Sequence, residues 1–288
     1  MQDVAMERIA VITDSCGDVP RELAEEFSIF VLPVMIQCKD GSYRDGVEIS
    51  SDEVYERLKT ELPRSSSPLG SDIVDMFEEI KRQGYTHAIA VMLSGGLSST
   101  VNHIRLAGEE MDGLEVRVFD SKSGSIGIGA IALQVAKEIR DGASFAEIVE
   151  RVPRLIENTT VFFSIDTLEY LQKGGRIGKA TALAGAMLQI KPILSIDDDG
   201  EIYTADKVRG RKQVINHLIK QVQGKMQEGR PYSLMVADGA APEEREHLEE
   251  KLLQAFPDYQ CLYRAKIGGG LGMHLGPGLL GAGIQFLD

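Results

Sequence analysis

Cysteine is scarce in this sequence: Cys16, Cys38 and Cys261 are the three in 288 residues. Their number is odd and no two stand in a CxxC spacing, which argues against a disulfide framework and a clustered zinc site. Reduced thiols in a reducing compartment are the expectation. A long hydrophobic run is missing too. The longest weakly polar stretch, residues 180–190, is about half the length that a bilayer span needs. The first residues, MQDVAMERIAVITDS, place Asp3 and Glu7 where a signal peptide requires an unbroken apolar segment. The expected location is the cytoplasm. Positive charge is in short supply, with 31 basic against 44 acidic residues and a net charge of −13. General attraction to nucleic acid or anionic lipid is therefore disfavoured, and an anionic ligand has to be held by local geometry.

What is there is ordinary globular material, 43% hydrophobic and 26% charged, at a length that suits two domains. The first half alternates short β-branched runs with helical patterns. Strands are expected at Ile9–Thr13, Phe30–Val34, His87–Met92 and Glu115–Asp120, with helices between and after them. Ser50 with Glu53, and Ser144 with Glu147, read as capping boxes. This rhythm predicts an α/β domain with a doubly wound parallel sheet over residues 1–158. From residue 159 to 288 the rhythm changes. Strands at Val161–Ile165 and Ser233–Ala237, a hairpin pairing Pro192–Ile196 with Glu201–Ala205, and helices near 213–227 and 243–256 predict a second α/β domain. Its sheet is expected to be mixed, with helices on one side, and the ligand is expected between the domains.

Several catalytic signatures fail on inspection. Gly174-Gly175-Arg176-Ile177-Gly178-Lys179 imitates a phosphate loop, but its glycine spacing is one short and Ala180 stands where a hydroxyl should follow the lysine. Gly127-x-Gly129-x-x-Ala132 lies too far past its strand for a dinucleotide fingerprint, and helix packing explains it better. No G-x-S-x-G elbow occurs, and Asp197–Asp199 reads as a solvated turn. Hydroxyls and glycines remain, concentrated at strand ends: Thr13-Asp14-Ser15, Ser65-Ser66-Ser67-Pro68 in a loop that the proline holds extended, Ser94 to Thr100, and Asp120-Ser121-Lys122-Ser123. Ligand crevices of open parallel sheets lie beyond these carboxyl ends, so the loops describe an anion site built from neutral donors; helix and turn capping is the other reading. His274 is the one histidine in a glycine-rich stretch, Ile267–Gly278, where the backbone is built for close approach. His87, His103, His217 and His247 fall on strands or helices.

The chain resembles the DegV family, the fatty-acid-binding proteins of bacteria. The resemblance is carried, in order, by ITDSCGDVP, the serine loop ending at Pro68, SGGLSST, VFDSKSGSIGIG, LEYLQKGGRIGKATALAG, LQIKPIL, KVRGRK and MHLGPGLLG. It implies a long-chain fatty acid between the domains, no further cofactor, and no chemistry by the chain alone. Members are similar to the lipid-binding subunit of bacterial fatty acid kinase, which presents the acyl carboxylate to an ATP-dependent partner for phosphorylation. Matched position by position, the carboxylate ligands fall on Ser65 and Ser98, with Ser94 second to them, and on His274 and Arg176. The basic run Lys207–Lys212, with Arg209 and Arg211, would face the kinase. Serine at position 65, where the family commonly has threonine, and Ser99-Thr100-Val101, where it commonly has Gly-Thr-Tyr, leave the acyl preference open. Met92, Met187, Met235 and Met273 are candidates for an adaptable lining, or for ordinary core. Two rival readings use the same residues: a serine hydrolase built from Ser98, His274 and Asp14, and a small-molecule or phosphate-binding regulator.

Overall fold

The computed structural model describes residues 7–183 and 190–288. The first sheet begins with β1 (Ile9–Asp14), followed by helix α1 (Arg21–Glu26) and β2 (Ile29–Leu32). A small sheet that the sequence did not announce comes next: β3 (Met35–Cys38) pairs antiparallel with β4 (Gly41–Arg44) and, after helix α2 (Ser51–Arg57), with β5 (Arg64–Ser66). Strands of three and four residues are too short for alternation to register as a pattern. Ser65 and Ser66 therefore sit on a strand rather than in the extended loop expected of them.

Helix α3 (Gly70–Arg82), β6 (His87–Met92), α4 (Thr100–Glu109) and β7 (Glu115–Asp120) complete the parallel sheet, whose order is β2-β1-β6-β7. Successive residues of a strand face opposite sides. Ala10 and Ile12 accordingly join Phe77, Ile80 and Ile104 under α3 and α4, while Val11 and Val91 join the core on the other face. Helices α5 (Ile126–Arg140) and α6 (Phe145–Glu157) cover that face, and both expected capping boxes, at Ser50 and Ser144, are present. The glycines that imitated a fingerprint serve packing: a Cβ at Gly129 would lie 2.1 Å from the Tyr263 hydroxyl and 2.6 Å from the Gly17 carbonyl oxygen.

The strands of the mixed sheet are β8 (Thr159–Ser164), β9 (Ile190–Ile196), β10 (Ile202–Arg209), β11 (Tyr232–Gly239), β12 (Cys261–Lys266) and β13 (Leu279–Phe286), in the order β10-β9-β8-β13-β11-β12. Only β11 and β12 run parallel, and the last strand of the chain fills the middle of the sheet. Helices α7 (Glu169–Lys173), α8 (Val214–Lys225), α9 (Pro242–Ala255) and α10 (Gly269–Leu275) complete the described elements. Here the expectation of helices on one side is corrected. Helices α8 and α9 pack on Phe162, Leu234, Val236 and Ala282, but the opposite face is covered by α5, which belongs to the first half of the chain. Sheet membership changes at residue 159, yet one apolar core, including Val11, Ile131, Leu194 and Met235, runs through both halves.

Candidate functional site

In the parallel sheet β1 lies between β2 and β6, so the strand order reverses at its β6 edge and the chain leaves a crevice beyond the two carboxyl ends. Asp14, at the end of β1, fixes that crevice. Its carboxylate accepts from the amides of Cys16 at 3.0 Å and Leu93 at 2.8 Å, and burial raises its pKa to about 6. A cavity of about 470 Å³ opens there, walled by Cys16 and Leu93 from the segments that follow β1 and β6, Val161, Phe163 and Ile196 from the second sheet, and Leu271 and Leu275 from α10. Its volume is within the range of sites that enclose a small ligand.

The polar groups of the cavity gather toward exposed residues. Ser65, on the partly buried side of β5, places its Oγ 2.7 Å from Nε2 of His274, although 209 positions separate the two residues. His274 belongs to the last turn of α10, not to a loop. Burial, with the positive charge of Arg176 added, lowers its pKa to about 4, so the imidazole is neutral at pH 7. Gly174 makes room for the ring: a Cβ there would lie 2.3 Å from Nδ1. Arg176, exposed at the same rim, donates to the carbonyls of Leu97 at 3.4 Å and Gly174 at 2.6 Å. Ser98 Oγ lies 2.9 Å from Thr100 Oγ1 and accepts from the Thr100 amide. Thr100 Oγ1 reaches Ser67 Oγ at 3.4 Å, and Ser67 Oγ lies 3.2 Å from Ser99 Oγ. These are hydroxyl-to-hydroxyl contacts, whose protons can rotate toward an incoming anion.

Ser65, Ser98, His274 and Arg176 thus line one cavity. Ser94 does not join them. It is fully buried, and its hydroxyl donates to the Gly200 carbonyl at 2.8 Å, tying the β6–α4 loop to the β9–β10 turn. Met92, Met235 and Met273 belong to core clusters rather than to the cavity wall, and Met187 lies outside the described residues, as does the rest of 184–189 within two of the matching motifs. Ser67, Ser99 and Ser125 line the cavity without having been singled out. Ser65, Ser66 and Ser67 all reach the cavity, whereas of Ser98, Ser99 and Thr100 the two serines do, a choice made by the fold.

The hydrolase arrangement is not assembled: Ser65, not Ser98, meets the imidazole, and the Asp14 carboxylate hydrogen-bonds to backbone amides. No cluster typical of a metal centre replaces it among the described residues. Cys38, Asp40 and Glu61 converge, but the Arg57 guanidinium binds Asp40 at 2.7 and 2.9 Å and Glu61 at 3.2 Å. The basic run is divided between elements: Lys207 and Arg209 end β10, and Arg211 and Lys212 form a short turn ahead of α8. Arg211 is compensated within the chain: its guanidinium forms a two-point pair with Glu244 at 2.9 and 2.6 Å and reaches Asp166 at 3.5 Å. Lys207, Arg209 and Lys212 are exposed. No helix among the described residues is long and apolar enough to cross a membrane.

Comparison with known proteins agrees with the fold. A family model described as DegV matches residues 8–286. A DegV domain-containing protein of Clostridium acetobutylicum is 40% identical over 279 residues, covering 97% of this chain and 99% of the relative. The structure of DegV from Bacillus subtilis, described as a fatty acid binding protein, is 31% identical with a TM-score of 0.89, covering 98% of this chain and 100% of its own. A DegV family protein of Thermus thermophilus, described for its fatty acid binding, is 28% identical with a TM-score of 0.90, over 97% of this chain and 100% of its own.

Proposed function

The chain belongs to the DegV family, and from that premise we propose that it binds one long-chain fatty acid with its carboxylate at the hydroxyl rim and its tail in the apolar cavity. The observation that carries the reading is the junction of Ser65 with neutral His274 at the mouth of a cavity whose deeper walls are aliphatic and aromatic. Hydroxyls of Ser65 and Ser98 donate to the carboxylate, and Arg176 supplies the opposite charge that a chain of net charge −13 otherwise withholds. Burying about 14 methylenes at ~0.8 kcal/mol each gives on the order of 11 kcal/mol. Association costs of roughly 4 kcal/mol or more come off that. The remainder supports micromolar or tighter binding before any hydrogen bond is counted.

The carboxylate end is at the exposed rim, beside Ser99, His103 and Arg176, while the tail is enclosed. A bound acid would therefore offer its reactive end to a partner enzyme, and the role we assign is presentation to a kinase that forms the acyl phosphate. Its contact surface includes Arg209, with exposed Lys207 and Lys212. Arg211, braced by Glu244, contributes by shaping that surface from within.

Native mass spectrometry of protein incubated with C14 to C18 acids should show one acid per chain; only the apo mass would overturn the binding role. With purified kinase and ATP, Arg209→Glu with Lys212→Glu should leave lipid binding within about twofold and cut acyl phosphate formation by about tenfold. Equal losses in both assays would remove the kinase surface from this face.

A further inference from the structure

Helix α10 carries His274 in its last turn and has no side-chain cap of its own at the start. Two carboxylates from distant parts of the chain supply what is missing. Asp18, just after β1, accepts from the Gly268 amide at 2.8 Å and from the Ser125 hydroxyl at 2.6 Å. Asp45, after β4, accepts from the Gly270 amide at 3.1 Å, and also from the Gly269 amide and the Ser15 hydroxyl. The glycine run leaves room for them, together with Val54 and Ile36 beside Gly269 and Val34 beside Gly270. A Cβ at Gly268 would stand 2.7 Å from Asp18 Oδ1, one at Gly269 2.9 Å from Asp45 Oδ1, and one at Gly270 3.0 Å from Asp45 Oδ2. At Gly268 and Gly269 the close approach of this backbone is made to two buried carboxyls, while Gly270 also borders the cavity.

The two ends of the helix face different spaces. Asp18, Asp45, Gly268 and Gly269 border a second cleft, whereas Gly270, Leu271, His274 and Leu275 border the lipid cavity. Seven residues with three glycines make a helix of low intrinsic stability, so its placement depends on what grips its first amides. Tyr55 and Val54 of α2 close one side of the helix at Gly272 and Gly269, so a shift of its first turn is directed toward the cavity and displaces the imidazole relative to Ser65.

We propose that Asp18 and Asp45 are positioning residues for carboxylate recognition, holding α10 so that His274 stays in hydrogen-bond reach of Ser65. The proposal rests on the reading of the cavity as a fatty acid site. It concerns head-group selectivity, since α10 gives the tail only Leu271 and Leu275 among the wall residues named above, and the rest come from other elements.

The test compares hexadecanoic acid with 1-hexadecanol, which shares the tail but lacks the carboxylate, on the full-length protein. Wild type should prefer the acid by at least tenfold; absence of binding to either would defeat the fatty acid reading itself. In Asp45→Ala the preference should fall at least fivefold, while hexadecanol affinity, which depends on α10 only through Leu271 and Leu275, falls by no more than about threefold. Asp45→Asn keeps one acceptor and the side-chain shape, so it should fold as wild type does and lose between about a quarter and a half of the preference on a logarithmic scale. Adding Asp45→Ala to Ser65→Ala should lower the preference no further, because the Ser65–His274 junction is already gone. An unchanged preference in Asp45→Ala, or equal losses of acid and alcohol, would overturn the positioning role. Should Asp45→Ala fail to fold, an unchanged preference in Asp45→Asn alongside the same substitution at Asp18 overturns it equally.

Discussion

At the start of α10, Asp18 and Asp45 accept from backbone amides and serine hydroxyls; at the cavity rim, Ser65, Ser67, Ser98, Ser99 and Thr100 bond to one another and to His274. Both regions are polar and both join segments far apart in sequence, although the rim is open to water at Ser99. They differ in what is left over. The carboxyls have fixed acceptors aimed at fixed donors, so that cluster is closed. The hydroxyls hold movable protons that are given only to other hydroxyls or to a neutral imidazole, so an anion can enter at little cost. A buried polar cluster reads as a brace when its donors are committed to backbone groups, and as a binding site when they can be turned outward.

Removing the brace should have the largest effect. Asp18→Ala strands the Gly268 amide and the Ser125 hydroxyl, and should lower unfolding free energy by about 3 kcal/mol in urea titration at pH 6; a loss below about 1 kcal/mol would mean the cluster is not structural. The same residue sets a pH dependence. Burial raises Asp18 to about 7 and Asp14 to about 6, against 3.8 for the free side chain. The folded state therefore holds these protons more tightly, and their contribution is fully present below pH 4 and declines as pH rises to about 7. His274 runs the other way: lowered to about 4, it contributes above pH 6.5 and loses that contribution as pH falls toward 4. Between pH 5 and 8 the Asp18 slope should amount to on the order of 2 kcal/mol, and Asp18→Asn should flatten it. An unchanged slope in that variant would place the titration elsewhere.

The rim is probed by two serines four positions apart in one loop. Ser98→Ala should weaken fatty acid binding about tenfold, measured by isothermal titration, with stability nearly unchanged. Ser94→Ala should do the reverse, losing about 1–2 kcal/mol of stability through the orphaned Gly200 carbonyl while affinity stays within about twofold. Matching affinity losses would erase the distinction between them. The smallest effect belongs to the apolar wall. A Cβ at Gly124 would meet Leu93, Ile196 and Leu271 at 3.7, 3.7 and 3.8 Å, ordinary contact distances at which a methyl fits but narrows the cavity. Gly124→Ala should lower octadecanoate affinity about fourfold relative to tetradecanoate, near the ~0.8 kcal/mol of one methylene. Equal change for both acids would put Gly124 away from the tail's path.

Much of this was legible because its causes are local. The apolar runs Ile9–Thr13 and His87–Met92 are continuous because both faces of a parallel strand are covered, and the capping boxes at Ser50 and Ser144 need only three residues to specify. From those strands follows the edge where a ligand crevice opens, and the hydroxyl-rich loops stand at it. The serine-rich loop Ser65–Pro68 was legible as a feature but not as a strand, since β5 acquires its form by pairing with β3.

What the sequence by itself determined is the class of fold, the position of the crevice and the chemistry of the groups near it. Tertiary structure alone decided which of those groups act. Ser94 and Ser98 belong to the same short loop, and nothing local separates the hydroxyl that ties down Gly200 from the one that faces the cavity. Ser65 meets His274 across 209 positions, and Asp18 meets Gly268 across 250. Periodicity and capping act within a few residues of chain, whereas hydrogen bonds of that span exist only after both sheets have closed on α5 and the final strand has entered the middle of the second sheet.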